Sequence, residues 1–493
     1  MLLLSNPLNF FFALVLSLAL PSRTIATLAP IKTTLTGHIK PSQIYTFIYA
    51  PFSVPQGTTS ITVVQTYSAQ NAGNALDLGL FDQRGTATLS ASRGWSGGFR
   101  NNFTITPSWA TPGYNPGPIE PGTWNVVLGP YTSIPEGIDW KLEIAMGFDP
   151  VHTYFAVEPA SVNLDPVCNA LCTEDEYGRG QWLRGDLHMH TIYSDGRYTP
   201  EEQIAIAVDQ GLDFIFFSDH NTDSSNNIMG SLQHLAPPDL LIGRGIEVTT
   251  RAGHWQALGL DPEQLVEWRY RDEESYIAAA RDVHRRGGLV SINHPFAACA
   301  ACNWVFDSWG VNDAIEVWNG DWDRTDEEAV AKWQELLVSG RYTAAVGGSD
   351  SHSPPAMNGV PTTVVRSRGR SQAGIIEGIK AGRAYIVQGP GMEITLRVRL
   401  PAPLGSVVAE IGDKMRVSTV GAFAVVETRG FKEHVCKVCF VTDKGYVYNT
   451  TLGRDGGVGV KRFIPAGSKF LRVEVRNGTD GALLGLTNPV WFL

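Results

Sequence analysis

The residue types able to hold a cation are not spread evenly along this chain. Of its 11 histidines, His188, His190, His220, His254, His294 and His352 each sit at the end or the start of an apolar run that reads as a strand. WLRGDLHMH ends in His188 and His190, GLDFIFFSDH in Asp219 and His220, GLVSINHP in His294, and TAAVGGSDSH in Asp350 and His352. LLIGRGIEV carries Glu247, GHWQALGL opens on His254, and AIEVWNG carries Glu316. Residues two apart on a strand face the same side, so His188 and His190 can point at one ion. Neutral imidazole with carboxylate suits Zn, Mn or Fe, and a bridging carboxylate permits a cluster. Water held by such ions loses a proton near neutral pH. The chemistry expected is therefore attack of a metal-bound hydroxide on a phosphoryl or carbonyl centre. One histidine alone would mean little; the set carries the weight.

Ligands this far apart in sequence meet only if the ends of many strands converge, as they do at the mouth of a parallel βα barrel. From about 180 to 388, strands alternate with helical stretches, which predicts an α/β barrel. In TPEEQIAIAVDQGLD, Thr199 can cap a helix, Pro200 takes its first position, Glu202 closes a capping box and Gly211 ends it. Thr325 with Glu328 reads as a second capping box. From about 30 to 165 only strands and Gly/Pro/Asn-rich turns are evident, which predicts a β-sandwich or jelly roll. A smaller all-β region follows the barrel. The expected limits are an N-terminal β-sandwich domain over 27–165, the barrel over 166–390 and a C-terminal β domain over 391–493.

At 493 residues the chain exceeds one ordinary core, and 43% hydrophobic content excludes disorder for most of it. A net charge of −10 argues against duplex nucleic acid as a partner, because that affinity comes from basic residues on phosphates. The run Phe10 to Leu20, broken only by Ser17, matches the core of a signal peptide over 1–26. The expectation is a secreted protein with no membrane span once that segment is removed. The cysteines form three close couples, Cys168/Cys172, Cys299/Cys302 and Cys436/Cys439, which read as disulfides in a secreted chain. Cys436 and Cys439 lie in an apparent strand, where residues three apart face opposite ways. Either a turn interrupts that strand or these two pair elsewhere. Sequons at Asn102, Asn449 and Asn477 agree with secretion.

GDLHMHTIYSDG, FSDHNT, GIEVTTRAGHWQALGL, INHP and GGSDSHS resemble the PHP (polymerase and histidinol phosphatase) superfamily over roughly 180–390. IEVWNG, GVPTTVV and AGRAYIVQGPG are similar to its carbaryl-hydrolase-like branch. The resemblance implies a distorted (β/α)7 barrel and two or three divalent ions. His188, His190 and Asp350 would hold the first ion. Glu247 would bridge to the second, completed by His254 and His294; Asp195, His220 and His352 would hold the third. His190, Asp350 and Glu247 would be central to catalysis. Asp219 is expected to orient a ligand imidazole, and Asn293 and Glu316 either do the same or fill the barrel interior. Arg251, Trp255 and Arg184 are candidates for touching substrate, and Arg197 and Arg244 could join a phosphate clamp. The apolar loop PFAACAACNWVFDSWG could receive an aryl group, or pack as lid or core.

The superfamily implies a phosphoesterase acting on a small or nucleotide-like phosphoester, and the branch implies a carbamate or aryl ester hydrolase. A glycan- or surface-binding protein with an inactive barrel is a third reading, which the filled ligand set opposes. The GxSxG pattern at Gly94–Gly98 lies in an all-β stretch, without the strand–turn–helix setting a nucleophile elbow needs.

Overall fold

A computed structural model describes residues 29–157, 180–299, 301–401, 408–416, 421–433, 435–452 and 460–493. The expected signal segment and the Cys168/Cys172 couple lie outside the described residues. The central sheet is built from β1 (Gln181–Asp186), β2 (Phe214–Phe217), β3 (Leu241–Thr249), β4 (His254–Leu258), β5 (Leu289–Ile292), β6 (Ala314–Asn319), β7 (Ala344–Gly348), β8 (Thr362–Ser367) and β9 (Ala384–Val387). Among the described residues, the longer helices that flank it are α1 (Pro200–Asp209), α2 (Glu273–Arg285), α3 (Arg324–Val338) and α4 (Gln372–Lys380). The strands are apolar on both faces, as in the wholly buried FIFF of β2, because helices cover one side and the interior fills the other.

The order is β7-β6-β5-β4-β3-β2-β1-β8-β9. The runs β1-β2-β3 and β5-β6-β7 are parallel. Departing from a regular parallel barrel, β4 is antiparallel to both neighbours and β8 is antiparallel to β1 and β9. The sheet curls without closing its ladder: Thr363 Oγ1 of β8 donates to Gly347 O of β7 at 2.7 Å and accepts its N–H at 2.9 Å. The first helix starts as its sequence predicts, with Thr199 capping and Glu202 closing the box. At α3 the cap is Asp323 with Asp326 closing the box, not Thr325 with Glu328; a carboxylate reaches two free N–H groups that the Thr325 hydroxyl does not.

The expected boundary after residue 390 is crossed by hydrogen bonds. β9 pairs with Leu483–Thr487, and the sheet continues through Phe470–Asn477 and Cys436–Thr442 to Gly445–Leu452. A separate sheet of Val408–Glu410, Glu393–Arg399, Ala422–Arg429 and Val460–Ile464 packs against it. Residues 29–147 form two four-stranded antiparallel sheets around a core that includes Trp124, Leu78, Val126 and Ile144. Cys299 and Cys302 form a disulfide. Cys436 and Cys439 sit on one unbroken strand and are not bonded to each other. Among the described residues, no helix is long and apolar enough to cross a membrane.

Candidate metal centre

Leaving β1, the chain runs on through Leu187 to His190, all buried. Strict alternation sends Leu187 and Met189 into the core and His188 and His190 to the mouth. Asp186, at the end of β1, is wholly buried and clamps three segments. It accepts from the backbone N–H of His188 (3.0 Å), Ser349 (3.1 Å) and Gly359 (2.7 Å). β3 delivers Glu247. The chain then reverses through Thr250–Gly253, so that Thr249 pairs with His254 and β4 begins at the same mouth where β3 ends. That reversal is why a histidine only seven positions on can join the site.

The nine expected ligand residues meet in overlapping groups whose ligand atoms all lie within 4.8 Å of one another: His188/His190/Asp350, His188/Glu247/His294, His220/Glu247/His254 and His190/Asp195/His220/His352. Glu247 Oε2 lies 3.4 Å from His188 Nε2, 3.3 Å from His190 Nε2 and 3.0 Å from His220 Nδ1. Its Oε1 lies 3.3 Å from His254 Nδ1 and 3.1 Å from His294 Nε2. Asp350 Oδ1 is 3.2 Å from His188 Nε2 and 3.0 Å from His190 Nε2. On the open side, Asp195 Oδ1 is 3.6 Å from His220 Nε2 and 3.3 Å from His352 Nε2. His294 and Asp350 hold φ of 24° and 50°, a left-handed backbone that costs a non-glycine residue and gathers at functional sites.

A cation fits this donor set. Among the described residues, Asp195 Oδ1, Glu247 Oε2, Asp350 Oδ1, both ring nitrogens of His254 and His294 Nδ1 are buried without a hydrogen-bond partner. Buried polar atoms are rarely left so, and here they converge. The electrostatics agree. Burial disfavours the imidazolium of His188, yet Asp350, Glu316 and Glu247 hold its pKa well above the usual value. Burial is likewise outweighed at His220 by Asp195 and Glu247, and at His352 by Asp195 and Asp350, both reaching about 9. Burial pushes the carboxyls of Glu247 and Asp350 up, but the ring of imidazoles brings both well below their ordinary range. His254 falls, to about 4, because burial exceeds the help from Glu247. Protons on His188, His220, His294 and His352 thus do what a divalent ion would do for the carboxylates.

A second layer fixes these groups. Glu316 Oε1 is 2.9 Å from His188 Nδ1, while its Oε2 accepts from His294 N (3.0 Å) and Asn319 Nδ2 (3.1 Å). Asn293 Nδ2 donates to Glu247 Oε1 at 2.8 Å. Asp219, expected beside an imidazole, instead accepts from Thr191 N and Oγ1 (both 2.8 Å) and from Ser194 Oγ (2.7 Å). It shapes the 191–194 turn, one hydroxyl away from His190. Asn319, which donates to Asp350 Oδ2 at 3.3 Å, was missed, because a lone Asn at a strand end carries no pattern of its own.

The substrate candidates fare differently. Trp255 is wholly buried in the core, its N–H donating to Tyr270 OH at 2.9 Å; next to His254 on a strand, it must face the other way. Arg184 pairs with Glu393 of the C-terminal β region, away from the mouth. Arg244 is buried, with Nε donating to Asn226 O. Only Arg251 lines the cleft, and it is held by Asp77 of the N-terminal domain at 2.6 Å. The aromatics of the 295–310 loop also turn inward: Trp304 and Phe306 pack with Tyr276 as core. Ser96 of the GxSxG pattern bonds Leu78 O and Tyr114 OH and, among the described residues, has no histidine partner.

No family model matches the chain, and no curated protein matches it. It is similar to a solved two-domain protein from Bacteroides vulgatus containing a predicted PHP-like metal-dependent phosphoesterase, at 18% identity and a TM-score of 0.38, covering 69% of this chain and all of that one. It is also similar to a protein from Bifidobacterium adolescentis assigned as a metal-dependent phosphoesterase, at 18% identity and a TM-score of 0.26, covering 35% of this chain and 90% of that one. An amidohydrolase from Chromobacterium violaceum with bound sulfate is similar at 17% identity and a TM-score of 0.23, covering 34% and 88%. At these scores the functional reading rests on the site itself.

Proposed function

We propose that the chain is a secreted metal-dependent hydrolase that cleaves a small phosphoester at the mouth of the curled barrel. The observation that carries this is the convergence of nine imidazoles and carboxylates with buried, unpartnered acceptor atoms. In this reading His188, His190 and Asp350 hold one divalent ion. Glu247 with His254 and His294 would hold a second, and Asp195, His220 and His352 would hold a third. Such ions, Zn, Mn or Fe, would supply Lewis acidity and lower the pKa of water. The protein's own part is to hold the ligand imidazoles through Glu316, to aim Glu247 through Asn293, and to leave the Asp195 side open to substrate. The Cys299–Cys302 disulfide supports an oxidising compartment.

A second reading, cleavage of a carbamate or aryl ester, is favoured by one observation. Of the four arginines expected to clamp a phosphate, Arg184 and Arg244 are engaged away from the mouth and Arg251, in the cleft, is paired with Asp77, so only Arg197, exposed and next to His352, is left for that role. The test is a panel of nitrophenyl phosphate, bis(nitrophenyl) phosphate, nitrophenyl acetate and an aryl carbamate, with and without chelator. Chelator-sensitive phosphate turnover is expected. Ester or carbamate turnover alone assigns the second reading, and no turnover with any metal returns the chain to the class of binding proteins.

A further inference from the structure

The reaction site is not made by the barrel alone. A cavity of about 320 Å³ opens on Asp195, His220 and His254, and its opposite wall belongs to the N-terminal β domain. We propose that this domain completes the site by supplying a subsite for a flat, apolar leaving group, formed by Phe47, Trp95, Phe99 and Tyr131 with Trp268 of the barrel. The inference rests on the metal-dependent hydrolase reading and adds the shape of the substrate.

The first support is that the docking is close and fixed. Trp95 and Trp268 pack with ring centroids 5.7 Å apart across the interface. The Asp77–Arg251 pair is 2.6 Å long with side chains only 11% and 8% exposed, and the guanidinium lies 4.1 Å from the Tyr131 ring centroid. Thr222 Oγ1 donates to Gly113 O at 3.0 Å, and Asn115 Nδ2 to Asp223 Oδ1 at 2.6 Å. At Gly113, with φ of 95°, a side chain would meet Tyr193 O at 2.9 Å, so glycine lets the domain settle onto the turn that carries the ligands. A loosely tethered domain would not need such a fit.

The second support is the chemistry of the wall. Its rings offer flat faces for stacking, and Phe99 is left 45% exposed at the rim, with the Arg100 guanidinium 5.4 Å from its ring centroid. The wall's polar groups are already used. Ser96 bonds Leu78 O and Tyr114 OH, Asn221 bonds Thr249 O, and Arg251 bonds Asp77. Among the described residues the Trp268 N–H is buried without a partner, which leaves one donor and little else to grip a polar rim. A nucleobase edge would strand its hydrogen-bonding atoms there, whereas an unadorned ring would not. The volume suits one ring beside the reacting group.

The test uses the full chain loaded with Zn and two non-hydrolysable probes, phenylphosphonate and methylphosphonate. Calorimetry should show phenylphosphonate binding at least tenfold tighter, and phenylphosphonate alone should change the tryptophan fluorescence. Phe99→Ala should narrow the preference at least threefold and Phe99→Leu should recover part of it, with thermal unfolding reporting that both variants fold. Equal affinities for the two probes, or a preference unmoved by Phe99→Ala, in a chain that takes up Zn would overturn this inference alone. Absence of Zn uptake would overturn the hydrolase reading and this inference with it.

Discussion

Replacing Glu316 by Gln tests whether the second layer positions the ligands. The residue is 3% exposed and makes its contacts with both oxygens: one faces His188 Nδ1, and the other accepts the His294 N–H and the Asn319 amide. Glutamine keeps the shape but offers one acceptor. Facing His188, its carbonyl leaves an NH₂ against two donors; turned over, it presents N–H groups to an imidazole that should donate. Either way a charge-assisted bond is lost and His188 is no longer held in one tautomer. Outer-layer losses of this kind weaken metal binding by about 10–100-fold, or about 1.4–2.7 kcal/mol. Zn affinity of the variant, measured by competition with a chromophoric chelator, should fall by that factor. Glu143→Gln, at an exposed carboxylate on the N-terminal domain, serves as the control. Affinities equal within twofold would mean that Glu316 fills space and does not position the ligands.

Other perturbations probe other links. Because the His220 and His352 imidazoles reach about 9 without metal, protons compete with the ion at neutral pH. Zn affinity should rise with pH and level off above about 9, and calorimetry in buffers of different ionisation enthalpy should show protons released at pH 7.5; no release would contradict the site electrostatics. Gly348→Ala would place a Cβ 2.4 Å from His188 Cβ and 2.9 Å from Glu316 Oε1, so metal affinity should fall even though no ligand is changed; unchanged affinity would show that the β7 end can yield. In the extended sheet, burial pushes the Glu474 carboxyl up, but Arg472 and Arg476 bring it down to about 2. Its stabilising contribution is present above the ordinary carboxylate value of 4.5 and is lost as pH falls toward 2. Glu474→Ala should cost about 3–5 kcal/mol by leaving the buried Arg472 without its carboxylate, while Arg476 keeps Glu327, read by denaturant unfolding; a loss under 1 kcal/mol, small for breaking a buried pair, would refute that view of the network.

The histidines and carboxylates at strand ends could be read from the sequence because alternation along a strand fixes which neighbours share a face, and strand ends gather at one mouth; Asp195, in a turn, came only with the resemblance of its motif. The same rule should have removed Trp255, which adjoins His254 and therefore faces away from it. Strand direction was harder. HWQAL has no local feature that makes it antiparallel, and the reversal at Thr250–Gly253 becomes evident only from the pairing of Thr249 with His254. Asp186 and Asn319 act through hydrogen bonds that mostly join segments far apart in sequence, and such bonds leave no periodic trace. The Asp77–Arg251 pair joins residues 174 positions apart, so the part played by the N-terminal domain could not be seen before the fold was known. Continuity of the central sheet into the C-terminal region was hidden for the same reason: a register between β9 and Leu483–Thr487 is set by packing, not by local pattern.

The central claim is that these imidazoles and carboxylates exist to hold cations. Elemental analysis of the full chain after Zn loading and exhaustive dialysis, side by side with His190→Ala, tests it most directly. Two or three tightly held ions per chain are expected, with at least one lost in the variant and hydrolysis abolished alongside. A wild-type chain that retains no metal, or a variant that retains as much and hydrolyses as fast, would contradict the account.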